Sequence, residues 1–194
     1  MQTLEIFLTT IYNQYTSANT PYKRKKALRD IAVAELLFST GMRISELCNL
    51  SPSDVNLNDN IVLIYGKGAK ERKMQIENTK VKEILLEYKN IYSSEINQSN
   101  HFFVNPSGTP LSDQTVRRML NKYTSLAAIE QHITPHMFRH TFASSLLDAD
   151  VDIQYIQEML GHSSINTTQI YTHVTMAKQK NILATKHPRN RFNL

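Results

Sequence analysis

Two arginines, a lysine, two histidines and a tyrosine stand at positions that phosphoryl transfer would use: Arg43, Arg139, Lys67, His136, His162 and Tyr171. Displacing an oxygen from a phosphodiester needs a nucleophile, donors for the charge on the non-bridging oxygens and a proton for the departing oxygen. A guanidinium offers those oxygens a planar fork of N–H groups, a lysine or histidine can carry the proton, and a tyrosine hydroxyl can attack. Glu46 lies three residues after Arg43, one helical turn along the same face, where a carboxylate orients a guanidinium. His136 and Arg139 are also three apart. They follow Thr134-Pro135, a helix start with threonine as N-cap, whose unpaired N–H groups favour an anion.

Every one of these residues has an ordinary alternative. Arg43 and Glu46 can form an exposed ion pair worth under ~1 kcal/mol. His136 or Arg139 can solvate a helix end, and His162, after Gly161, can cap one, where the dipole favours a cation. Tyr171 is one of nine tyrosines and sits near Ile170 and Val174, as a packing residue would. Lys67 is one basic residue among Lys67, Lys70, Arg72 and Lys73, the composition of a solvated hairpin tip. Taken singly, each residue leaves both readings open.

The elements that must hold these side chains follow from apolar spacing and stop signals. Leu4 to Tyr15 has helical periodicity, and the polar stretch from Thr16 to Pro21 breaks it. The basic cluster Lys23-Arg24-Lys25-Lys26 leads into an apolar helix through Phe38, ended by Gly41. A short helix runs from Arg43 through Cys48 to Ser51-Pro52. Asn60 to Tyr65 and Arg72 to Ile76 read as a β-hairpin with Lys67 in its turn. Helices are expected over Thr79–Tyr92, from Ser112 or Asp113 to about Leu126, from Thr134 to about Leu147, and from Asp152 to Leu160. A further helix, started by Ser163 or Ser164, is to carry Tyr171, and a last one spans Thr175 to Ala184 before the tail from Lys186 to Leu194. His101 to Val104 reads as a short strand. The expected fold is mainly α with a small antiparallel β-sheet (α+β).

The 194 residues suit one domain, 1–194, including the C-terminal segment from about 175 to 194. Apolar residues make up 41% of the chain, enough for a core. Lys and Arg number 22 against 17 Asp and Glu, a formal +5 that favours polyanionic partners. Cys48 is the single cysteine, which excludes an internal disulfide and a cysteine-based zinc cluster and suits a reducing, cytoplasmic setting. No run reaches the ~18 apolar residues of a membrane span.

Five segments together resemble the tyrosine recombinase, or phage integrase, family, and its Xer branch in particular. They are Ser39-Thr40-Gly41-Met42-Arg43-Ile44-Ser45-Glu46-Leu47, Gly66-Lys67-Gly68-Ala69-Lys70-Glu71-Arg72, Thr134-Pro135-His136-Met137-Phe138-Arg139-His140-Thr141-Phe142-Ala143, Leu160-Gly161-His162-Ser163 and Thr167-Thr168-Gln169-Ile170-Tyr171-Thr172-His173. The resemblance implies that family's catalytic-domain fold, with Arg43, Lys67, His136, Arg139 and His162 around the phosphate, Tyr171 as nucleophile and Glu46 in support. It implies cleavage and rejoining of double-stranded DNA through a 3′-phosphotyrosine, without ATP or cofactor; no metal is expected, because the guanidinium groups do the charge work of two metals and the sequence offers no carboxylate cluster to hold them. It further implies a free monomer that forms a homodimer or homotetramer on DNA by docking the C-terminal tail on a neighbour, in the cytoplasm and at the nucleoid when DNA-bound. Members of the family usually carry a helical DNA-binding domain ahead of the catalytic one, and no such domain is present in these 194 residues.

Two other readings share much of this pattern. One is a DNA-binding regulator that keeps the fold without cutting, against which the full set of candidate residues argues. The other is a relaxing enzyme of the type IB topoisomerase kind, against which the Xer-like segments argue. A supercoiled plasmid with and without paired sites separates relaxation from recombination.

Overall fold

The computed structural model of the chain describes residues 1–66, 71–161 and 176–194. Lys67, His162, Tyr171 and the helix expected to carry Tyr171 lie outside the described residues. Among the described ones the helices are α1 (Gln2–Thr16), α2 (Pro21–Thr40), α3 (Ile44–Cys48), α4 (Thr79–Ile91), α5 (Ser93–Ser99), α6 (Asp113–Leu126), α7 (Pro135–Leu147), α8 (Ile153–Leu160) and α9 (Met176–Lys186). Strands β1 (Val55–Asn56), β2 (Ile61–Tyr65) and β3 (Glu71–Gln75) form one antiparallel sheet in that order. The mainly helical α+β expectation holds.

Helix α2 is the axis of the molecule. Thr20 caps it by accepting from the Lys23 N–H, Pro21 occupies its first position, and Gly41 ends it at φ +59°, a left-handed conformation that glycine adopts without strain. Every residue from Ala27 to Thr40 is buried, as a helix enclosed on all sides requires. Leu4, Phe7, Leu8 and Ile11 of α1 pack into the core beside it, and α4 and α7 contact it as well.

The sheet sets one further side chain. Across β2 and β3, Val62 stands opposite Met74 and Ile64 opposite Arg72, and Val62, Ile64 and Met74 are wholly buried. Side chains two apart share a face, so Arg72 points inward with Met74.

One expectation needs correction. His101 to Val104 is not a strand: only Val104 forms an isolated bridge, to Pro110. Phe102 and Phe103 fill the core; the Phe102 N–H donates to the Leu50 carbonyl at 2.7 Å and the Phe103 carbonyl accepts from the Leu111 N–H at 3.0 Å, while the buried Tyr88 hydroxyl donates to the Phe102 carbonyl at 3.0 Å and accepts from the Val104 N–H at 3.0 Å. Helix α5 and strand β1 carry little sequence signal, since α5 is polar apart from Ile96 and β1 has two residues.

The C-terminal segment, expected to dock on a neighbouring subunit in the DNA-bound assembly, packs in this single chain on its own domain. Arg189, 1% exposed, forms a bidentate pair with Glu35 of α2 (Nε–Oε2 2.8 Å, Nη2–Oε1 2.9 Å), Tyr12 donates to the same carboxylate at 2.8 Å, and Phe192 stacks on Phe38. These contacts satisfy a buried carboxylate that would otherwise be unpaired.

Among the described residues no helix is long and apolar enough to cross a membrane.

His187 carries a pH dependence. It is buried between Phe38 and Phe142, its Nδ1 accepts from the Arg189 N–H at 3.0 Å, and its Nε2 has no partner among the described residues. Burial pushes its pKa down to about 4, the backbone of Ser39 and Phe38 opposing and the Arg189 charge adding to the fall. The folded state therefore holds His187 neutral, and the unfolded chain, with a pKa near ~6.5, gains the proton first as pH falls. Stability is expected to be full above about pH 6.5 and to drop by roughly 3 kcal/mol by pH 4 from this group. Urea midpoints of wild type and His187→Phe at several pH values check this: the wild type should lose more stability across that window, and parallel curves would refute the assignment.

Candidate active site

The site forms where α2, α3, β3, α7 and α8 meet, and it is organised by one carboxylate. Glu46 is the third residue of α3, and its side chain is 5% exposed. It accepts from the Arg43 backbone N–H at 2.8 Å and from Arg43 Nη1 at 2.9 Å. Arg72 reaches it from β3 with Nη2 on Oε2 at 2.7 Å and Nη1 on Oε1 at 3.1 Å. Burial alone would raise the Glu46 pKa, but the hydrogen bonds from Arg72 and Arg43 and the charge of their guanidinia outweigh it and hold the carboxyl below its usual range.

Helix α8 supplies the second support. Its last carbonyls have no intrahelical partner, and arginines take them: Met159 accepts from Arg72 Nε at 3.0 Å and Leu160 from Arg139 Nη2 at 2.8 Å. Arg139 Nη1 donates to the Gly41 carbonyl at 2.8 Å, so two helix C-termini, with their partial negative charge, hold one guanidinium. The junction is tight. A Cβ on Gly41 would come within 2.8 Å of Leu160 Cδ2 and 2.9 Å of Phe142 Cδ1, and one on Gly161 within 3.1 Å of Arg72 Nη1. Burial, then repulsion from Arg43 and Arg72, lowers the Arg139 pKa to about 10, with Glu46 opposing. Among the described residues, three guanidinia thus gather around the Glu46 carboxylate.

Of the residues singled out in the sequence, Arg43, Glu46 and Arg139 thus come together. The Arg43 side chain stays 42% exposed, open to a ligand, and Arg139 is half-buried. His136 lies in the first turn of α7, one turn before Arg139, with its side chain exposed. Thr134 holds the N-cap position there without a capping side-chain bond. Lys67, His162 and Tyr171 lie outside the described residues. Arg72 is the member that the sequence reading misses, because its basic neighbours group it with a solvated hairpin tip. Its signal is phase: Arg72, Met74 and Ile76 alternate on one face, and two of the three are core residues.

Glu46→Ala is expected to lower stability by about 3–5 kcal/mol at neutral pH, because the largely buried Arg72 loses its counter-ion. Since the folded-state pKa of Glu46 is depressed, this contribution is present above about pH 4.3 and fades as pH falls through the folded value. Urea unfolding at pH 7 and pH 3 measures both; a loss below ~1 kcal/mol at pH 7 would mark the cluster as loosely held.

The profile of the phage integrase family matches residues 10–178. A tyrosine recombinase of Agathobacter rectalis is 67% identical over 190 residues, which are 98% of this chain and 62% of that protein, so the chain spans about three fifths of that relative's length. The crystal structure of the XerA recombinase superposes with a TM-score of 0.69 at 30% identity, covering 97% of this chain and 64% of that one. The XerH site-specific recombinase, solved bound to its difH substrate before cleavage, superposes with a TM-score of 0.70 at 29% identity over 88% of this chain and 48% of that one. With the fold, the matched residues and these relatives in agreement, the chain belongs to the phage integrase family of tyrosine recombinases and has the fold of their catalytic domain.

Proposed function

We propose that this chain cleaves and rejoins double-stranded DNA through a 3′-phosphotyrosine. The observation that carries the reading is the cluster of Arg43, Arg72 and Arg139 around the single carboxylate of Glu46. Such a cluster offers a phosphodiester fixed positive charge before it arrives, so little reorganisation is needed as charge develops.

In this mechanism the Tyr171 hydroxyl oxygen attacks phosphorus and gives up its proton to His136. Arg43 and Arg139, with His162, donate to the non-bridging oxygens, each contact being worth about 3 kcal/mol toward the transition state. Arg72 is a positioning residue that keeps Glu46, and through it Arg43, in place. The bond to the 5′ oxygen breaks, and Lys67 delivers the proton that makes it a free hydroxyl. The phosphate stays esterified to tyrosine, so attack by a 5′ hydroxyl of a partner strand reverses the step and reseals DNA without ATP.

Assembly on DNA as a homodimer or homotetramer belongs to the same reading. For the tail to leave its own domain, Arg189 must release Glu35, and an identical neighbour offers the same carboxylate and the same Phe38 surface in return. Exchange between copies therefore conserves the contacts.

The test uses a nicked duplex carrying a site selected from a random pool by the protein itself. Wild type should form a covalent complex resistant to denaturant, and Lys67→Ala should form it about 10²–10⁴ times more slowly. A 5′-phosphorothiolate, whose leaving sulfur scarcely needs a proton, should restore the Lys67→Ala rate. No covalent complex with wild type would overturn the function, and equal defects on both substrates would move the general acid elsewhere, first to Lys70.

A further inference from the structure

At the opposite end of α2 from Arg43, a cavity of about 560 Å³ opens between the N-terminal turns of α2, the turn at 105–107 and one face of α6. Its walls include Lys26, Arg29, Arg118 and Lys122, and a single carboxylate, Asp30. That carboxylate is already taken: Arg29 donates to it through Nε at 2.9 Å and also through Nη2, and the Tyr123 hydroxyl donates at 2.9 Å. Arg29 spends Nη1 on Asn105 Oδ1 at 2.9 Å. Arg29 and Asp30 thus cancel, and Lys26, Arg118 and Lys122 remain. None of the three is in an ion pair among the described residues, and Lys122 lies over the Tyr123 ring at 4.6 Å.

This arrangement is unfavourable in the free protein for two separate reasons. Arg118 and Lys122 are four apart on α6, a like-charge spacing that weakens a helix. Lys26 adds to a basic run, Lys23 to Lys26, at the N-terminus of α2, where the dipole disfavours cations and no acidic residue stands in the first turn. An anion in the cavity removes both penalties. Tyr22, 63% exposed at the rim, adds an aromatic surface beside them.

We infer that this cavity holds a backbone phosphate of the same DNA duplex, away from the phosphate being cleaved. The inference rests on the proposed function for the duplex and on the cavity for the contact. Lys26 and the C-terminal end of α2 are 14 residues apart, roughly 20 Å along the helix at ~1.5 Å per residue. That length matches about six steps of a B-form strand at ~3.4 Å, within the reach of a single duplex. The cavity shares none of its lining with the arginine cluster, so it contributes grip and register and leaves the chemistry untouched.

The test measures binding of two fluorescent 30-base-pair duplexes of unrelated sequence by the full chain across a sodium chloride series. Lys26→Ala, Arg118→Ala and Lys122→Ala are combined, and a charge-matched control removes the exposed Lys80, Lys89 and Lys180. The pocket variant should lower the slope of log affinity against log salt by about 2–3, roughly one for each phosphate-directed cation, equally on both duplexes. Its affinity at 0.15 M salt should fall at least ~10-fold. The control variant should keep the wild-type slope to within about one. A pocket variant whose slope matches the control's overturns the contact and leaves the proposed function standing. Tight binding of ATP, lost in the pocket variant, with an unchanged duplex slope, also overturns it and assigns the cavity to free nucleotides. Failure of wild type to bind either duplex removes both proposals.

Discussion

Tyr171→Phe is expected to bind DNA with wild-type affinity and to lose covalent capture by at least roughly 10⁴-fold, the scale seen when a sole nucleophile is removed. The change deletes one oxygen and no charge. Binding is expected to persist because affinity for a duplex comes from cations neutralising phosphates, and all the cations remain. The measurement is a nicked substrate run on a denaturing gel beside a native gel of the same mixture. A shifted denatured band that persists in the variant would show that another residue attacks.

Arg139→Ala is expected to lower cleavage by about 10²–10³-fold, as for loss of one fixed donor to a developing oxyanion. The structure adds a second consequence. The carbonyls of Gly41 and Leu160 lose their donor at a junction too tight to admit a Cβ on Gly41, and unmet buried carbonyls cost about 1–3 kcal/mol each. Arg139→Lys separates the two effects, since it keeps a charge but cannot bridge both carbonyls and still present a planar fork. We expect this variant to recover part of the binding and little of the rate. Cleavage by Arg139→Lys at the wild-type rate would show that charge alone suffices at this position.

The parts of the fold that sequence made legible are those where one physical signal dominates. The run from Ala27 to Phe38 is apolar on nearly every side and ends at a glycine, so both its burial and its stop could be read directly. The His101–Val104 stretch has strand composition, yet its backbone groups are divided among Leu50, Leu111 and the hydroxyl of Tyr88, 14 residues away from Phe102. Scattered partners of this kind leave no periodic trace. At the site, Arg43 and Glu46 were legible because they are neighbours on one turn. Arg72 meets Glu46 across 26 residues, and period-two phase shows which way it faces but not what it meets. The anchoring of Arg139 was beyond reach for the same reason, because its partners are the carbonyls of Gly41, 98 residues away, and Leu160, 21 residues away. The tail's cis docking depends on a carboxylate, Glu35, inside an otherwise apolar stretch of helix. That buried charge announces a partner without naming it.

The most direct measurement is the chemical identity of the residue that becomes joined to DNA. Wild-type chain trapped on a nicked duplex is digested with nuclease and trypsin, and the peptide bearing a nucleotide remnant is sequenced by mass spectrometry. The tryptic fragment from His140 to Lys178 contains both Tyr155 and Tyr171, so fragmentation within it makes a sharp distinction. A phosphodiester remnant on Tyr171 is the predicted result. A remnant on Tyr155, on any serine, or on no peptide at all would contradict it.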